Sequence, residues 1–342
     1  MSISWEISTL LARSYAVVWR SVVVSHPAKL RREHYSLVIE QDETAFVPFE
    51  DIAVIVLNHR EITLTHAVLS ACGEYGISLF ATGDTHHPNG VFLPFLTHSR
   101  ATRGLRLQLK MPRPLAKQAW AVIVRRKIAN QAACLSLANA EGADRLESYA
   151  RRVRSGDSEN MEAQAAAIYF AKLFDKNFQR GQERWANAAL DYGYAVLRGT
   201  IARGLVGHGL LPSIGLYHAS EQNAFNLADD LIEPFRPLVD LYVAKHYAPD
   251  DAELQLTDKA GLVGLLNVDM AMPRGVMSAL DAIEHTVESL ARIYEDGAKS
   301  ALELPTLIGL RQAYPRLVTH ERGNATTHAL ARDVRPSSRY AC

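Results

Sequence analysis

The first 95 residues follow the pattern of short strands separated by polar turns. Segments rich in β-branched and aromatic residues predict strands at 21–25, 34–40, 44–49, 52–57 and 77–82. One helix is expected between them, near 66–76, because small and apolar residues share a face and Gly76 provides an end. The segment 83–90 contains Pro88 and an Asn-Gly pair, which is typical of a loop.

From about residue 99 the apolar positions recur with a helical period. Strong helix formers dominate 101–153, and further helices are predicted at 185–209, 223–245, 255–267 and 274–300. Residues 321–342 have no periodic apolar face, which indicates a mobile tail. The pattern therefore predicts an α+β fold with a small β-rich domain over 1–95 and a linker to about 100. It also predicts an all-α domain over 101–305, followed by a partly disordered tail over 306–342.

Composition narrows the class of protein. With 342 residues, 48% of them apolar, the chain is long enough for two domains and a substantial core. Its three cysteines have no paired spacing, which argues against a disulfide framework or a zinc site. The sequence shows no signal-peptide pattern and no apolar run of membrane-spanning length, so a soluble cytoplasmic protein is expected. Dinucleotide-binding, phosphate-loop and serine-nucleophile motifs are missing as well.

Charge is distributed unevenly although the formal net charge is zero. Residues 85–140 contain no Asp or Glu but carry nine basic residues: Arg100, Arg103, Arg106, Lys110, Arg113, Lys117, Arg125, Arg126 and Lys127. Such a block of one sign is typical of a surface that meets a polyanion. A solvated basic face, paired with acids elsewhere in the fold, explains the same pattern. The charge pattern alone leaves both interpretations open.

Carboxylates interrupt two apolar patterns. On a helix over 160–174, Glu162 shares its face with Ala165, Ala166, Tyr169 and Leu173. In the segment NLADDLIEPFRP, Asp230 and Glu233 are neighbours at i and i+3, and Pro234 is expected to kink the chain. An unpaired ionised carboxylate in an apolar face is costly, so each needs a cation, a hydrogen-bond partner or a metal.

His218 completes a candidate metal site. It follows an apolar segment after Pro212, in a loop or at a helix start. Two carboxylates and an imidazole from three segments suit a hard or borderline cation such as Mg²⁺ or Mn²⁺. The alternative is structural: Glu162 pairs with an arginine of a neighbouring helix, and His218 is a hydrogen-bonded core histidine. Spacing does not choose between them.

Two segments resemble the CRISPR-associated protein 1 family of spacer-acquisition integrases: GLLPSIGLYHASEQNAFNLADDLIEPFRPLVD (209–240) and NMEAQAAAIYF (160–170). The segments NAFNLADDLIEPFRP and NAALDYGYAVLRG are similar to members that accompany type II systems. The resemblance extends over about residues 15–300. It implies an N-terminal β-domain and a helical catalytic domain, in agreement with the pattern of the chain.

The resemblance also implies roles for individual residues. Glu162, His218 and Glu233 match the three metal ligands of the family, and Asp230 matches an acid that supports the site. Other branches often have Asp at the position of Glu233. Alanine at position 163, where many members have glycine, is expected to matter little because both residues are small.

The reaction and partners implied by the resemblance are those of CRISPR adaptation. A 3′-hydroxyl of captured DNA would attack a phosphodiester at the repeat boundary, with Mg²⁺ or Mn²⁺ bound at the site. Expected partners are double-stranded DNA (prespacer and repeat), a second copy of the chain, the small CRISPR-associated protein 2 and the type II effector nuclease. Candidate contacts to the DNA backbone are Arg100, Arg103, Arg106 and Lys110, and also Arg180, Arg184, Arg198 and Arg203.

Two other functions remain open. One is a metal-dependent DNA nuclease that cleaves without joining strands. The other is a non-catalytic DNA-binding scaffold, in which alanine at Glu162 and Glu233 would change no activity. The presence of Glu162, His218 and Glu233 together disfavours the scaffold.

Overall fold

The computed structural model describes residues 20–83, 88–94, 98, 100–249 and 252–311. The predicted tail beyond residue 311 and residues 84–87 of the predicted loop at 83–90 lie outside these ranges. The strands are β1 (Arg20–Val24), β2 (Lys29–Glu33), β3 (Ser36–Glu40), β4 (Thr44–Pro48), β5 (Ile52–Leu57), β6 (Thr63–Leu64), β7 (Ser78–Thr82), β8 (Pro88–Phe92), β9 (Asp269–Met272), β10 (Gly275–Ser278) and β11 (Thr306–Leu307).

The helices comprise one between β6 and β7 and those after β8, which make up most of the remaining described chain. They are α1 (His66–Glu74), α2 (Ala101–Leu109), α3 (Arg113–Leu137), α4 (Ala143–Arg152), α5 (Met161–Leu173), α6 (Trp185–Gly207), α7 (Asn226–Ile232), α8 (Arg236–Lys245), α9 (Leu256–Gly264) and α10 (Ala279–Asp296). No described helix is long and apolar enough to cross a membrane. The α+β class predicted from the sequence is therefore the class observed.

Two sheets build the N-terminal part. The first has the order β1-β5-β7-β8, with the first three strands parallel and β8 antiparallel. The second has the order β4-β3-β2-β6. Side chains from one face of β5, such as Ile55, pack with Leu30, Leu37 and Cys72 into a core between the sheets and α1. Val54 and Val56 join the helical core instead, so burial on both faces explains the continuous apolar run IAVIVL.

Three strands of this part were not predicted, namely β2, β8 and the two-residue β6. β2 has the charged sequence KLRRE, in which Leu30 alone is fully buried. Its arginines are held by acids, since Arg31 pairs with Glu33 at 2.5 Å and Arg32 pairs with Glu74 at 2.9 Å. β8 begins inside the segment predicted to be a loop, because antiparallel pairing with β7 overrides its turn-forming composition.

The first sheet packs directly on α6. Phe80 of β7 lies against Gly199, where an added Cβ would stand 2.0 Å from the phenylalanine ring. Only glycine permits this approach of helix and sheet. The first sheet therefore contributes Phe80, Val54 and Val56 to the same core as the helices.

The second domain is not all-α, which corrects the prediction. β9, β10 and β11 form an antiparallel sheet in the order β10-β9-β11. The helix predicted at 274–300 begins at Ala279, because Gly275–Ser278 pairs as β10 and Ser278 caps the helix by accepting from Asp281 N. β11 also shows that the folded chain continues past the predicted boundary at 305.

The helix predicted at 223–245 is divided, as the proline suggested. α7 ends at Ile232 and α8 begins at Arg236, with Pro234 between them. Asn130 of α3 stabilises the break, since its Nδ2 donates to Pro234 O at 2.7 Å. The same Nδ2 donates to Pro305 O at 3.0 Å, and Leu307 N donates to Asn130 Oδ1 at 3.1 Å. One buried amide thus connects α3, the break and β11.

Candidate active site

Glu162 lies in the first turn of α5, as its spacing predicted. Asp157 caps this helix by accepting from Met161 N at 2.9 Å and from Glu162 N at 3.0 Å. Tyr169 and Ala165, on the same face of the helix, are completely buried. The cap and the buried face fix the backbone at Glu162, whose side chain is 25% exposed at the edge of the core.

Lys127 of α3 brings Glu162 and Glu233 together. Its Nζ lies 2.6 Å from Glu162 Oε1 and 2.5 Å from Glu233 Oε2. Burial opposes the charged ammonium, but Glu233 and Glu162 outweigh burial and raise the pKa of Lys127 above its ordinary value. Two carboxylates far apart in sequence, one in the first turn of α5 and one at the break between α7 and α8, therefore converge on a single cation.

Glu233 has a second cationic neighbour. Arg236 Nε lies 3.1 Å from Glu233 Oε1, and the guanidinium stacks over the Tyr194 ring at 4.5 Å. Burial would raise the pKa of Glu233, yet Arg236 and Lys127 outweigh burial and lower that pKa below its ordinary value. Glu233 thus remains ionised although it is buried.

Asp230 organises the loop that carries His218. It accepts hydrogen bonds from Leu216 N at 2.5 Å, Tyr217 N at 3.1 Å and His218 N at 3.1 Å. Gly215 is needed in this loop because an added Cβ would lie 2.2 Å from His218 O. The carboxylate of Asp230 therefore shapes the loop and does not point into solvent, being fully buried.

Asp230 also orients the His218 ring. Nδ1 of His218 lies 2.8 Å from Asp230 Oδ1. An ionised carboxylate only accepts, so Nδ1 donates and Nε2 carries the lone pair of the neutral ring. This hydrogen bond raises the pKa of His218, against a smaller opposing effect of burial. Asp230 is thus a positioning group, and His218 Nε2 presents a lone pair that could bind a metal ion.

The donor atoms fit a hard or borderline divalent cation. Glu162 and Glu233 already share one positive charge at Lys127 Nζ, and the imidazole offers a lone pair. In the described part of the chain no three His, Cys, Asp or Glu side chains stand together as a ready-made cluster. The ammonium of Lys127 occupies the point between the two glutamates. A divalent cation held by both carboxylates would have to displace it.

The predicted DNA contacts fall into two groups. Arg106 and Lys110 are exposed on α2, as are Arg100 at its start and Arg103, which pairs with Glu295 at 3.4 Å. Three others have closer acidic partners, namely Arg180 with Asp191 at 2.5 Å, Arg184 with Asp175 at 3.1 Å and Arg198 with Asp229 at 3.0 Å. Arg203 is buried and pairs with Glu284 at 2.5 Å. The open basic surface is therefore that of α2 and the start of α3.

Two site residues escaped the sequence analysis. Lys127 was grouped with the surface basic block, and Asn130 was not singled out. Both lie on the α3 face that includes the fully buried Ile123 and Val124. The argument applied to acids, that a polar group in an apolar face needs a partner, would have found them.

Two comparisons of the sequence relate this chain to known proteins. The profile of the family described as "CRISPR associated protein Cas1" matches residues 21–253. The CRISPR-associated endonuclease Cas1 of Neisseria meningitidis serogroup C is 42% identical over 300 residues, covering 86% of this chain and 99% of that protein.

Two solved structures share the fold. A casposase bound to integration product superposes with a TM-score of 0.65 at 17% identity, covering 80% of this chain and 90% of that one. A Cas6-RT-Cas1–Cas2 complex gives 0.62 at 16% identity, covering 89% of this chain and 38% of that one. With a family profile that matches most of its length and a relative 42% identical along nearly all of its own, this chain belongs to the CRISPR-associated Cas1 family.

Proposed function

We propose that this chain is a metal-dependent DNA integrase of CRISPR adaptation, with an associated endonuclease activity. It joins the 3′-hydroxyl ends of captured foreign DNA to the repeat array by transesterification. The observation that carries the proposal is the convergence of Glu162 and Glu233 on one cation position, with an imidazole oriented by Asp230 that interacts electrostatically with Glu233. The relative from Neisseria meningitidis is named an endonuclease, which supports the hydrolytic part.

Glu162, Glu233 and His218 Nε2 would hold the Mg²⁺ or Mn²⁺ ion. When bound, such an ion polarises the phosphoryl oxygen and stabilises charge on the leaving oxygen. The chain itself supplies Glu162 in the first turn of α5, Glu233 at the break between α7 and α8, and an imidazole whose direction is set by Asp230. The 3′-hydroxyl oxygen forms the new bond to phosphorus, loses its proton, and the old phosphorus–oxygen bond breaks. No covalent intermediate with the protein is needed.

The proposed partners are double-stranded DNA, a second copy of the chain and the small Cas2 protein. The fold shared with a Cas1–Cas2 complex supports Cas2, and the fold shared with a casposase on its integration product supports DNA. Arg100, Arg103, Arg106 and Lys110 would contact phosphates without reading sequence. Arg180, Arg184 and Arg198 would contact DNA only by sharing or exchanging their acidic partners. A contribution of the type II effector nuclease remains part of the proposal.

A strand-transfer assay tests the proposal. The full chain, with and without Cas2, is mixed with a labelled short duplex and a supercoiled plasmid that carries a repeat. Mn²⁺, Mg²⁺ and chelator are compared. Glu162→Gln removes the charge of one ligand, and Glu183→Gln, an exposed acid on the loop between α5 and α6, serves as the matched control.

Label joined to plasmid in metal, retained in Glu183→Gln and lost in Glu162→Gln, is the expected result. Metal-dependent nicking without joining would favour the nuclease. Joining that survives Glu162→Gln would show that this site is not the catalytic one. DNA binding indifferent to metal, with no cleavage or joining, would favour a scaffold.

A further inference from the structure

The sheet of β9, β10 and β11 has one buried face and one exposed face. Met270 of β9 and Leu307 of β11 are buried in the helical core. Side chains alternate between the two faces of a strand, so Ala271 and Thr306 lie on the other face. In the register of the sheet, Ala271 pairs with Val276 on one side and with Thr306 on the other. These three residues therefore form a row across the exposed face, here called the outer sheet face.

The outer sheet face and its surroundings are largely apolar. Val276 is 61% exposed, and Ile308, directly after β11, is 41% exposed. Val122 of α3, one helical turn before Arg126, is 36% exposed. Single apolar side chains are common on protein surfaces, but a group of them indicates a site where another segment packs.

Arg126 stands at one end of the row. Its Nη1 donates to Thr306 Oγ1 at 2.6 Å. The guanidinium is half-buried, and burial lowers the pKa of Arg126 because no carboxylate offsets the lost hydration. It forms no ion pair with any other described residue, whereas its neighbour Lys127 is held by two glutamates. Arg126 therefore has donors left for a carboxylate from outside the described chain.

The chain leaves its described part beside this sheet. Arg311 O accepts a hydrogen bond at 2.9 Å from the N–H of Asp269, the first residue of β9. Val276 lies two strand spacings and two residues away from that point, roughly 12 Å. Residues 312–316 can span up to about 17 Å. A segment that begins at residue 317 therefore reaches the outer sheet face without any change in the described fold.

Residues 317–321, with the sequence LVTHE, combine apolar and β-branched side chains with an acid. In an extended chain Leu317, Thr319 and Glu321 point to the same side. The sequence after the described part has two acidic side chains, Glu321 and Asp333. Asp333 has an arginine directly before it and another two residues after it, so its charge is balanced locally. Glu321 is thus the acid that follows an apolar run and faces the same way.

The length of this segment matches the width of the outer sheet face. From Leu317 to Glu321 the distance is about 13 Å at the rise of a strand. From Val276 to Thr306 it is two strand spacings, about 10 Å, and the Arg126 guanidinium lies one hydrogen bond beyond Thr306. With Leu317 above Val276, the carboxylate of Glu321 reaches the guanidinium.

We propose that residues 317–321 lie across the outer sheet face of the same chain, with Leu317 on Val276 and the Glu321 carboxylate paired with Arg126. This pairing gives the half-buried guanidinium a carboxylate that no other described residue supplies. The apolar side chains of the segment cover those of the sheet. The segment is thus a C-terminal strap that holds β11 against α3.

Such a strap acts on the candidate active site through β11. Asn130 of α3 joins Leu307 of this strand to Pro234, in the break next to Glu233. A segment that holds β11 against α3 from outside therefore also supports that break. The strap is independent of the reaction proposed above, so its test needs no DNA.

Cysteine crosslinking in the full chain tests the strap. Cys342 is replaced by Ser, and the two other cysteines are buried. Leu317→Cys is then combined with Val276→Cys or, as a control, with Tyr35→Cys, an exposed residue between β2 and β3. Mild oxidation is followed over time by electrophoresis without reductant, which separates crosslinks within a chain from those between chains. Mass spectrometry identifies the joined peptides.

A rapid crosslink within the chain is expected for Leu317→Cys with Val276→Cys and not with Tyr35→Cys. Glu321→Gln and Arg126→Gln should each slow it about tenfold, since a charged hydrogen bond is lost. Asp333→Asn should leave the rate unchanged. Melting temperatures of all variants confirm folding. Glu321→Gln changes no residue of the described fold, so it decides the matter even where Arg126→Gln fails to fold.

Three results would overturn the strap. Equal crosslinking rates at Val276 and Tyr35 would mean that the segment has no fixed position. Crosslinks between chains alone would show that a second copy covers the outer sheet face. A rate that Glu321→Gln leaves unchanged would refute the ion pair with Arg126.

Discussion

Nζ of Lys127 lies 2.5 Å from Oε2 of Glu233, with side chains 12% and 6% exposed. The ammonium also neutralises Glu162, so a metal-free centre carries its own positive charge. Two carboxylates held this close without a cation would repel each other in a medium of low dielectric constant. Lys127 therefore stabilises the fold in the absence of metal, and it would compete with a bound metal ion for the same two carboxylates.

Replacing Lys127 by Met is expected to separate these two effects. In chelator the variant should be less stable by about 3–5 kcal/mol, because the buried Glu233 and the partly buried Glu162 lose the cation that they share. In Mn²⁺ its melting temperature should rise by more than that of wild type, since no ammonium has to leave. Calorimetric melting in both conditions measures this. Lys117→Met, an exposed lysine on the same helix, is the control. A variant as stable as wild type in chelator would contradict the prediction.

Acid should weaken metal binding through His218. The hydrogen bond to Asp230 raises the pKa of His218, so protonation of Nε2 begins at a higher pH than for an ordinary histidine. A protonated ring has no lone pair for the cation. Affinity for Mn²⁺ should therefore fall as pH decreases through and below neutrality. Titration calorimetry from pH 8 to about 5.5 measures it. His218→Ala should bind more weakly and lose this dependence; an unchanged pH profile in the variant would assign it to another group.

Gly215→Ala should displace the His218 loop. The added Cβ would lie 2.2 Å from His218 O and 2.9 Å from Asp230 Oδ2, and neither atom can withdraw without breaking the hydrogen bonds of Asp230. We expect a loss of about 1–3 kcal/mol in stability and of at least about tenfold in strand transfer. Gly207→Ala is the control, because nothing lies within 4 Å of its added Cβ. Equal activity of the two variants would contradict the packing argument.

Asp240 should make the stability of the fold depend on pH. It is fully buried and accepts hydrogen bonds from Tyr169 at 2.8 Å and from Tyr194. Burial raises its pKa to about 6 from an ordinary 3.8. The folded state therefore binds more protons than the unfolded state between about pH 4 and 6, and stability decreases as pH rises through this window.

The free energy of unfolding should decrease by roughly 3 kcal/mol across this pH window, as calculated from the difference between the two pKa values of Asp240. Asp240→Asn cannot ionise and should lack this contribution. Urea unfolding of both proteins from pH 4 to 7 gives the difference between their free energies of unfolding, which isolates Asp240 from other titrating groups. If the free energies of unfolding of the two proteins ran parallel between pH 4 and 7, the Asp240 carboxylate would ionise in the folded state as readily as in water.

Sequence patterns located the acids of the site but not the cation that joins them. Glu162 and Glu233 stood out because a carboxylate in an apolar face is costly. Which groups face these two glutamates depends on how α3, α5 and the α7–α8 break pack together. A local sequence pattern does not contain the distances between these elements. Lys127 was therefore assigned to a surface from which it is excluded. The strands β9 to β11 were missed for a similar reason, since segments of two to four residues become strands only through pairing with each other.

Asn130 has a practical consequence for work with this chain. Its amide connects the break next to Glu233 with Pro305 and Leu307, and Arg126 adds a hydrogen bond to Thr306 at 2.6 Å. If the chain were cut after residue 305 and joined there to a fluorescent protein or an affinity tag, it would lose β11, whose Leu307 N donates to the Asn130 amide. Fusion after Arg311 leaves all these bonds in place. The point of attachment thus decides whether imaging or purification experiments observe an intact centre.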